Sequence, residues 1–235
     1  MLARQLFRLA RWPPLGPLVA VGLRLAGRWL PLRRVFWSRD LIGFEHPRPA
    51  WPVHLLLVPT TPIRDLLVLG RPRHAARFAA ILFAAAQVLR QRGAANRPYV
   101  LCANGGQRQD VMQVHFHLLP GQRWLGPLPA ASGQPLRLPA AELAEVEVVW
   151  HPQPGWQTHV VLLPRPPLPA LLDLNREHRP ALASLAAAVP RVHRALGLGR
   201  RGYTVLVQGE PGAASGFALH LIAGEAVGTD TTALG

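Results

Sequence analysis

The sequence predicts an α+β fold of two similar units, each an antiparallel sheet carrying one main helix. Two observations predict it. First, the chain repeats itself: HPRPAWPVHLLLVP (His46 to Pro59) returns as HPQPGWQTHVVLLP (His151 to Pro164), with His, Pro, Pro, Trp, His and Pro at identical spacing. PYVLCANG (Pro98 to Gly105) answers GYTVLVQG (Gly202 to Gly209), and QVHFHLLPG (Gln113 to Gly121) answers GFALHLIAG (Gly216 to Gly224). Second, each half runs short apolar β-like segments around a single long amphipathic helix, joined by short turns. This reading divides the chain into an extension (1–40), a first unit (41–127), a linker (128–144) and a second unit (145–235).

The extension carries Arg4, Arg8, Arg11, Arg24, Arg28, Arg33, Arg34 and Arg39 against one acid, Asp40. Leu18, Val21, Gly22, Leu25 and Trp29 fall at helical spacing, with Arg24 and Arg28 on another face, which predicts a basic amphipathic helix. Its apolar runs are broken by Pro13, Pro14, Pro17 and Arg24, too short for the roughly 20 apolar residues a membrane span needs. Two partners remain for its apolar face: an anionic membrane surface, or the body of the protein.

In the first unit, His54–Val58 reads as a strand stopped by Pro59. Residues 73–92 read as a helix with Phe78, Ile81, Leu82, Ala85 and Leu89 on one stripe and Gly93 at its stop. Tyr99–Ala103 is a strand, Gly105-Gly106 a turn, and Met112–Leu119 another strand. The Pro-, Gly- and Ala-rich stretch 122–144 reads as a connector. The second unit repeats the order, with strands near 145–150, 159–163, 203–208 and 217–222. Its helix near 176–196 turns Leu182, Leu185, Ala186 and Val189 inward, and Pro190 is expected to kink it.

Composition bounds the function classes. Hydrophobic residues make up 49% and charged ones 16%, so a packed core is expected rather than disorder. The net charge is +14, and all 26 basic residues are Arg. Genome composition accounts for Arg over Lys but not for the shortage of acids. A surface attractive to phosphate is expected; nucleic-acid binding rests on charge alone and is not favoured. The single Cys102, in an apolar strand, excludes an intramolecular disulfide and fits a cytoplasmic setting, with peripheral membrane contact through 1–40 left open.

The chemistry concentrates at Gln113, His115 and His117. Alternate residues of a strand share a face, so these three point one way while Val114, Phe116 and Leu118 point into the core. The second copy has Gly216, Ala218 and His220 instead, so one competent site is expected, not two.

QVHFHLL resembles the His-φ-His-φ-His-φ-φ signature of the histidine triad (HIT) superfamily, where φ is apolar. The resemblance extends over residues 43–127 through HLLLVP (His54 to Pro59), YVLCANGG (Tyr99 to Gly106) and Gln109. It implies that each half is a HIT-like unit. Galactose-1-phosphate uridylyltransferases hold two such halves in one chain, so an intramolecular pseudodimer, monomeric in solution, is implied.

By the same resemblance, His115 is the nucleophile of a nucleotide phosphohydrolase or nucleotidyltransferase working through a nucleotidyl-histidine intermediate. His117 and Gln113 complete the catalytic set. His54, Asn104, Gly105, Gly106 and Gln109 surround the phosphate, and Phe44 contacts the base. The partner is a nucleotide or nucleotide-linked small molecule, with no cofactor and no metal. The chain departs from the family at Gln113, where the first His is expected, and at His46, where a ribose-contacting carboxylate is expected. Two alternatives stay open: a non-catalytic nucleotide-binding or scaffold protein, and an enzyme resembling CDP-diacylglycerol pyrophosphatases at a membrane surface. Zinc held by His54, His115 and His117 ranks lower, because no carboxylate lies beside them on the strand.

Overall fold

The computed structural model describes residues 21, 22, 25, 32–126, 133–136, 143, 145–210 and 216–227. Among the described residues nine strands form one sheet in the order β1-β2-β3-β5-β4-β8-β9-β7-β6. The strands are β1 (Arg34–Trp37), β2 (Leu41–Glu45), β3 (Leu55–Pro59), β4 (Tyr99–Gly105), β5 (Phe116–Pro120), β6 (Val146–Trp150), β7 (Trp156–Pro164), β8 (Tyr203–Gly209) and β9 (Leu219–Ala226). Every strand pairing is antiparallel. The helices are α1 (Leu66–Leu69), α2 (Pro72–Gln91) and α3 (Arg179–Ala195).

The strand order is close to a palindrome about the β4–β8 pair. Those strands match Tyr99 with Gly209, Cys102 with Leu206 and Gly105 with Tyr203. The residues that correspond between units in sequence, Cys102 and Leu206, thus sit opposite each other at the centre. Gly105 and Gly209 serve the join: a Cβ on Gly105 would run into the Tyr203 ring, and one on Gly209 into the Tyr99 ring. Each unit lays a tyrosine over the other's glycine, so the close approach needs glycine on both sides. The fold is an intramolecular pseudodimer with one continuous sheet.

Strand alternation sorts the side chains into two layers. Leu55, Leu57, Leu101, Leu118, Val205, Val207, Leu219 and Leu221 face the helices in the main core. α2 buries the expected stripe of Phe78, Ile81, Leu82, Ala85 and Leu89, and α3 buries Leu182, Leu185, Ala186 and Val189. α2 begins with Pro72 in its first turn, where the missing N–H costs no helix bond, and Gly93 leaves it at φ +63°. The other face carries Val100, Cys102, Leu119 and Leu206, and in a second patch Ile42, Phe44, Leu56 and Val58.

Several details differ from the sequence reading. The strand expected at Met112–Leu119 begins only at Phe116, because Val114 N–H bonds Ile63 carbonyl and draws the preceding residues off the ladder. The sheet begins at Arg34, inside the segment read as extension, since β1 pairs with β2. Within the expected linker, Gln134 to Leu136 bond the backbone of β6, covering that edge as β1 covers β2. Helix α3 runs through Pro190 as a continuous helical segment. The ring has no N–H to give the Ala186 carbonyl, and that carbonyl lies against Gly70 together with the ring itself.

Most of the expected N-terminal helix lies outside the described residues. Val21, Gly22 and Leu25 are helical, and Leu25 is 73% exposed. No described helix is long and apolar enough to cross a membrane.

Candidate active site

The site is built where β3, β5 and the loop before β5 meet. His115 is half-buried, one residue ahead of β5. Its Nδ1 lies 2.8 Å from the backbone carbonyl of Gln113. A carbonyl only accepts, so Nδ1 carries the proton and Nε2 keeps its lone pair. Burial lowers the His115 pKa, opposed by that backbone bond and by the charge of Asp110. Near neutral pH the ring is therefore an unprotonated base with its lone pair on a defined nitrogen.

His117 stands beside it, ring centroids 5.0 Å apart and planes at 68°. Its Nδ1 meets His54 Nε2 at 2.7 Å. His54 Nδ1 accepts from the Ala50 amide at 3.3 Å, so the His54 proton sits on Nε2 and is given to His117. That leaves His117 with its own proton on Nε2, as a donor. His46 stacks on His54 at 4.1 Å and accepts from the Arg48 amide at 3.0 Å. Burial, then mutual repulsion among the rings, pushes His54 down to about 3 and His117 well below its usual value. His46 is lowered to about 4, by burial first. The cluster thus offers one lone pair at His115 and an N–H at His117, a pairing suited to attack on phosphorus with donation to its oxygens.

The other residues read from the sequence are placed as follows. Gln113 is 1% exposed, and its amide turns away from the imidazoles. Its Oε1 accepts from Ile63 N–H, and its Nε2 donates to the Pro59 and Thr61 carbonyls. Gln113 therefore fastens the turn after β3, and touches His115 only through its backbone carbonyl. Gln109 spends its amide donors on the Arg64 and Val111 carbonyls. Asn104 Oδ1 accepts from Thr204 of the second unit at 2.8 Å. Gly105 is the last residue of β4, and Gly106, at φ +59°, opens the 3-10 turn that follows. Phe44 pairs with Leu56, and Leu56 with His117, so all three lie in one row on the site face.

Sequence reasoning missed four contributors. His46, noted only as a departure, belongs to the ring cluster. Trp51 meets His54 edge-on at 5.0 Å and Trp124 at 5.6 Å, forming an aromatic wall. Gln208 of the second unit holds the amides of Trp124 and Leu125 at 2.7 and 2.8 Å. The repeated Trp at matching positions was the available signal for Trp51; nothing in the sequence ties Gln208 to Trp124.

The second unit keeps more than expected. His151, His159 and His220 reproduce the cluster, with His151 stacked on His159 at 4.1 Å and His159 Nε2 at 3.1 Å from His220 Nδ1. All three are buried. What it lacks is the fourth imidazole, since Ala218 stands where His115 stands in the first unit. Either trio has the spacing of a metal site. In each, however, the outer ring already accepts a backbone N–H on Nδ1, from Arg48 at His46 and from Gln153 at His151. A ligating His gives its second N–H to an acceptor, so ligation through Nε2 would set two donors against each other. In each trio two rings share a hydrogen bond and the outer ring stacks on one of them.

The family model for the HIT domain matches residues 31–124. A HIT-like protein of Azospirillum brasilense is 29% identical over 101 residues, covering 42% of this chain and 82% of its own length. The adenylylsulfatase of the HINT type from Arabidopsis thaliana is 29% identical over 104 residues, covering 43% of this chain and 69% of its own length. Both units are spanned by the solved structure of a GalT-like protein from Arabidopsis thaliana, with a TM-score of 0.54, 11% identity, and coverage of 81% of this chain and 75% of that one. That likeness is one of fold.

Proposed function

We propose, from the premise that the chain belongs to the HIT superfamily through residues 31–124, that it splits or transfers a nucleotidyl group through a covalent intermediate on His115. The superfamily includes nucleotide-processing enzymes, among them the adenylylsulfatase relative. The observation that carries the reading is the His115 Nδ1 contact with the Gln113 carbonyl, which leaves Nε2 as a bare lone pair beside the His117 N–H donor.

In the first step His115 Nε2 forms a bond to phosphorus as the bond to the leaving group breaks, and that group departs with the bonding electron pair. In the second step water, or an acceptor hydroxyl, displaces the imidazole and loses its proton. Splitting one displacement into two lowers each barrier. His117 Nε2–H, held in that tautomer by His54, steadies the developing oxygen charge. Trp51 and Trp124 offer ring faces to the nucleoside. The second unit contributes through Gln208 and Thr204 and carries out no chemistry of its own, so one site acts per chain.

Gln113 acts as a positioning residue. It replaces a His without replacing chemistry, because the backbone carbonyl that sets the His115 tautomer is independent of its side chain. This favours an enzyme over a non-catalytic binder. The test is release of nucleoside monophosphate from adenylyl sulfate, nucleoside phosphoramidates, dinucleoside polyphosphates and nucleotide sugars. At least one is turned over at a rate that depends on His115; failure with all four classes overturns the reading.

A further inference from the structure

We propose that the chain carries a second, non-catalytic binding site for a small polyphosphate anion, in the groove between α1 of the first unit and α3 of the second. The groove holds about 800 Å3 and is lined by Arg71, Arg191 and Arg194 around Gly70, Pro72 and His193. It lies on the helix side of the sheet, away from the histidine clusters, and the inference stands independently of the proposed turnover.

Two observations carry it. First, the three arginines are exposed, and among the described residues none makes an ion pair or a side-chain hydrogen bond. Three guanidinium groups facing one concavity repel each other until an anion sits among them. Second, the groove opens at the start of α2, a helix of 20 residues whose N-cap Arg71 supplies no side-chain cap. The positive end of the helix dipole therefore adds to the field of the arginines.

The pseudo-two-fold supplies an internal control. The residues matching Arg71, Arg191 and Arg194 in the other unit are Asn175, Gln87 and Arg90. Two of these are neutral, and Arg90 gives its guanidinium to the Leu172 carbonyl across the unit boundary. The contact is closed on that side. On the groove side the arginine has no such acceptor and the space stays open. Tandem symmetry alone therefore does not produce the charge; it is placed at one of two equivalent positions.

The volume decides the class of ligand. It is that of a small-molecule site, not of a track along a polymer backbone, so the fitting partner is a compound with several adjacent phosphates. The position also links the groove to the first unit's site. Helix α1 is capped by Asp65, which accepts from Val68 N–H at 2.8 Å. Two residues earlier Ile63 is fastened by Gln113 and by Val114 N–H, and His115 follows.

The test is calorimetric titration of the tag-free full chain with inorganic tripolyphosphate, in His115→Ala background so that no substrate-site chemistry intervenes. One equivalent binds, and affinity falls as salt rises. Arg191→Gln with Arg194→Gln, exposed replacements that spare the core, weakens binding at least tenfold, whereas Arg90→Gln on the equivalent side leaves it within about twofold. Equal affinity in all three proteins overturns the proposal. So does an RNA oligonucleotide that binds tenfold more tightly than tripolyphosphate with the same arginine dependence, since the site would then read a polymer.

Discussion

Replacing His115 with Ala lowers turnover by about four orders of magnitude or more, the scale of loss when a covalent nucleophile is removed. The fold survives it. His115 is half-buried, lies outside the strand ladder, and makes its one side-chain hydrogen bond to a backbone carbonyl that water can satisfy. Steady-state assay with the best substrate, paired with a thermal melt, reads both effects at once. A His115→Ala protein that retains a tenth of the activity would mean that another group attacks phosphorus. The neutral rings of His54 and His117 offer no substitute, because each lone pair inferred from their hydrogen bonds is already engaged.

Gln113→Leu has the second large effect, and it falls on stability. The side chain makes three buried bonds, to Ile63 N–H and to the Pro59 and Thr61 carbonyls. Leucine leaves all three backbone groups without partners, and each costs about 1–3 kcal/mol. The loss is then about 3 kcal/mol or more, a large share of the roughly 5–15 kcal/mol that holds a domain together. Gln113→His costs less, since a neutral imidazole has one donor and one acceptor and can keep at most two of the three. Urea denaturation measures both. A Gln113→His protein as stable as the parent and markedly more active would show that this position serves chemistry, contrary to the positioning role.

Much of the fold was legible because both units spell the same element order, and because the helical stripes of α2 and α3 consist of the residues they bury. The join between units was less so. Tyr99 over Gly209 and Tyr203 over Gly105 are long-range contacts that no local pattern encodes. At the site, His115 and His117 stand out as alternating polar residues in an apolar run. Gln113 was misplaced by the same logic: strand alternation puts it on their face, but the chain leaves the ladder at Phe116. His46 and His151 were visible as residues and not as ring partners, since stacking on His54 and His159 depends on how two loops fold back.

The covalent step is the centre of this account, and one measurement addresses it. Mix the full chain with the best nucleotide-linked substrate, quench within the first turnovers, and map any nucleotidyl adduct by mass spectrometry. The account predicts an acid-labile phosphoramidate on His115, absent from His115→Ala and absent from His220. Turnover at full rate with no adduct trapped at any time, or an adduct on a residue other than His115, would contradict it.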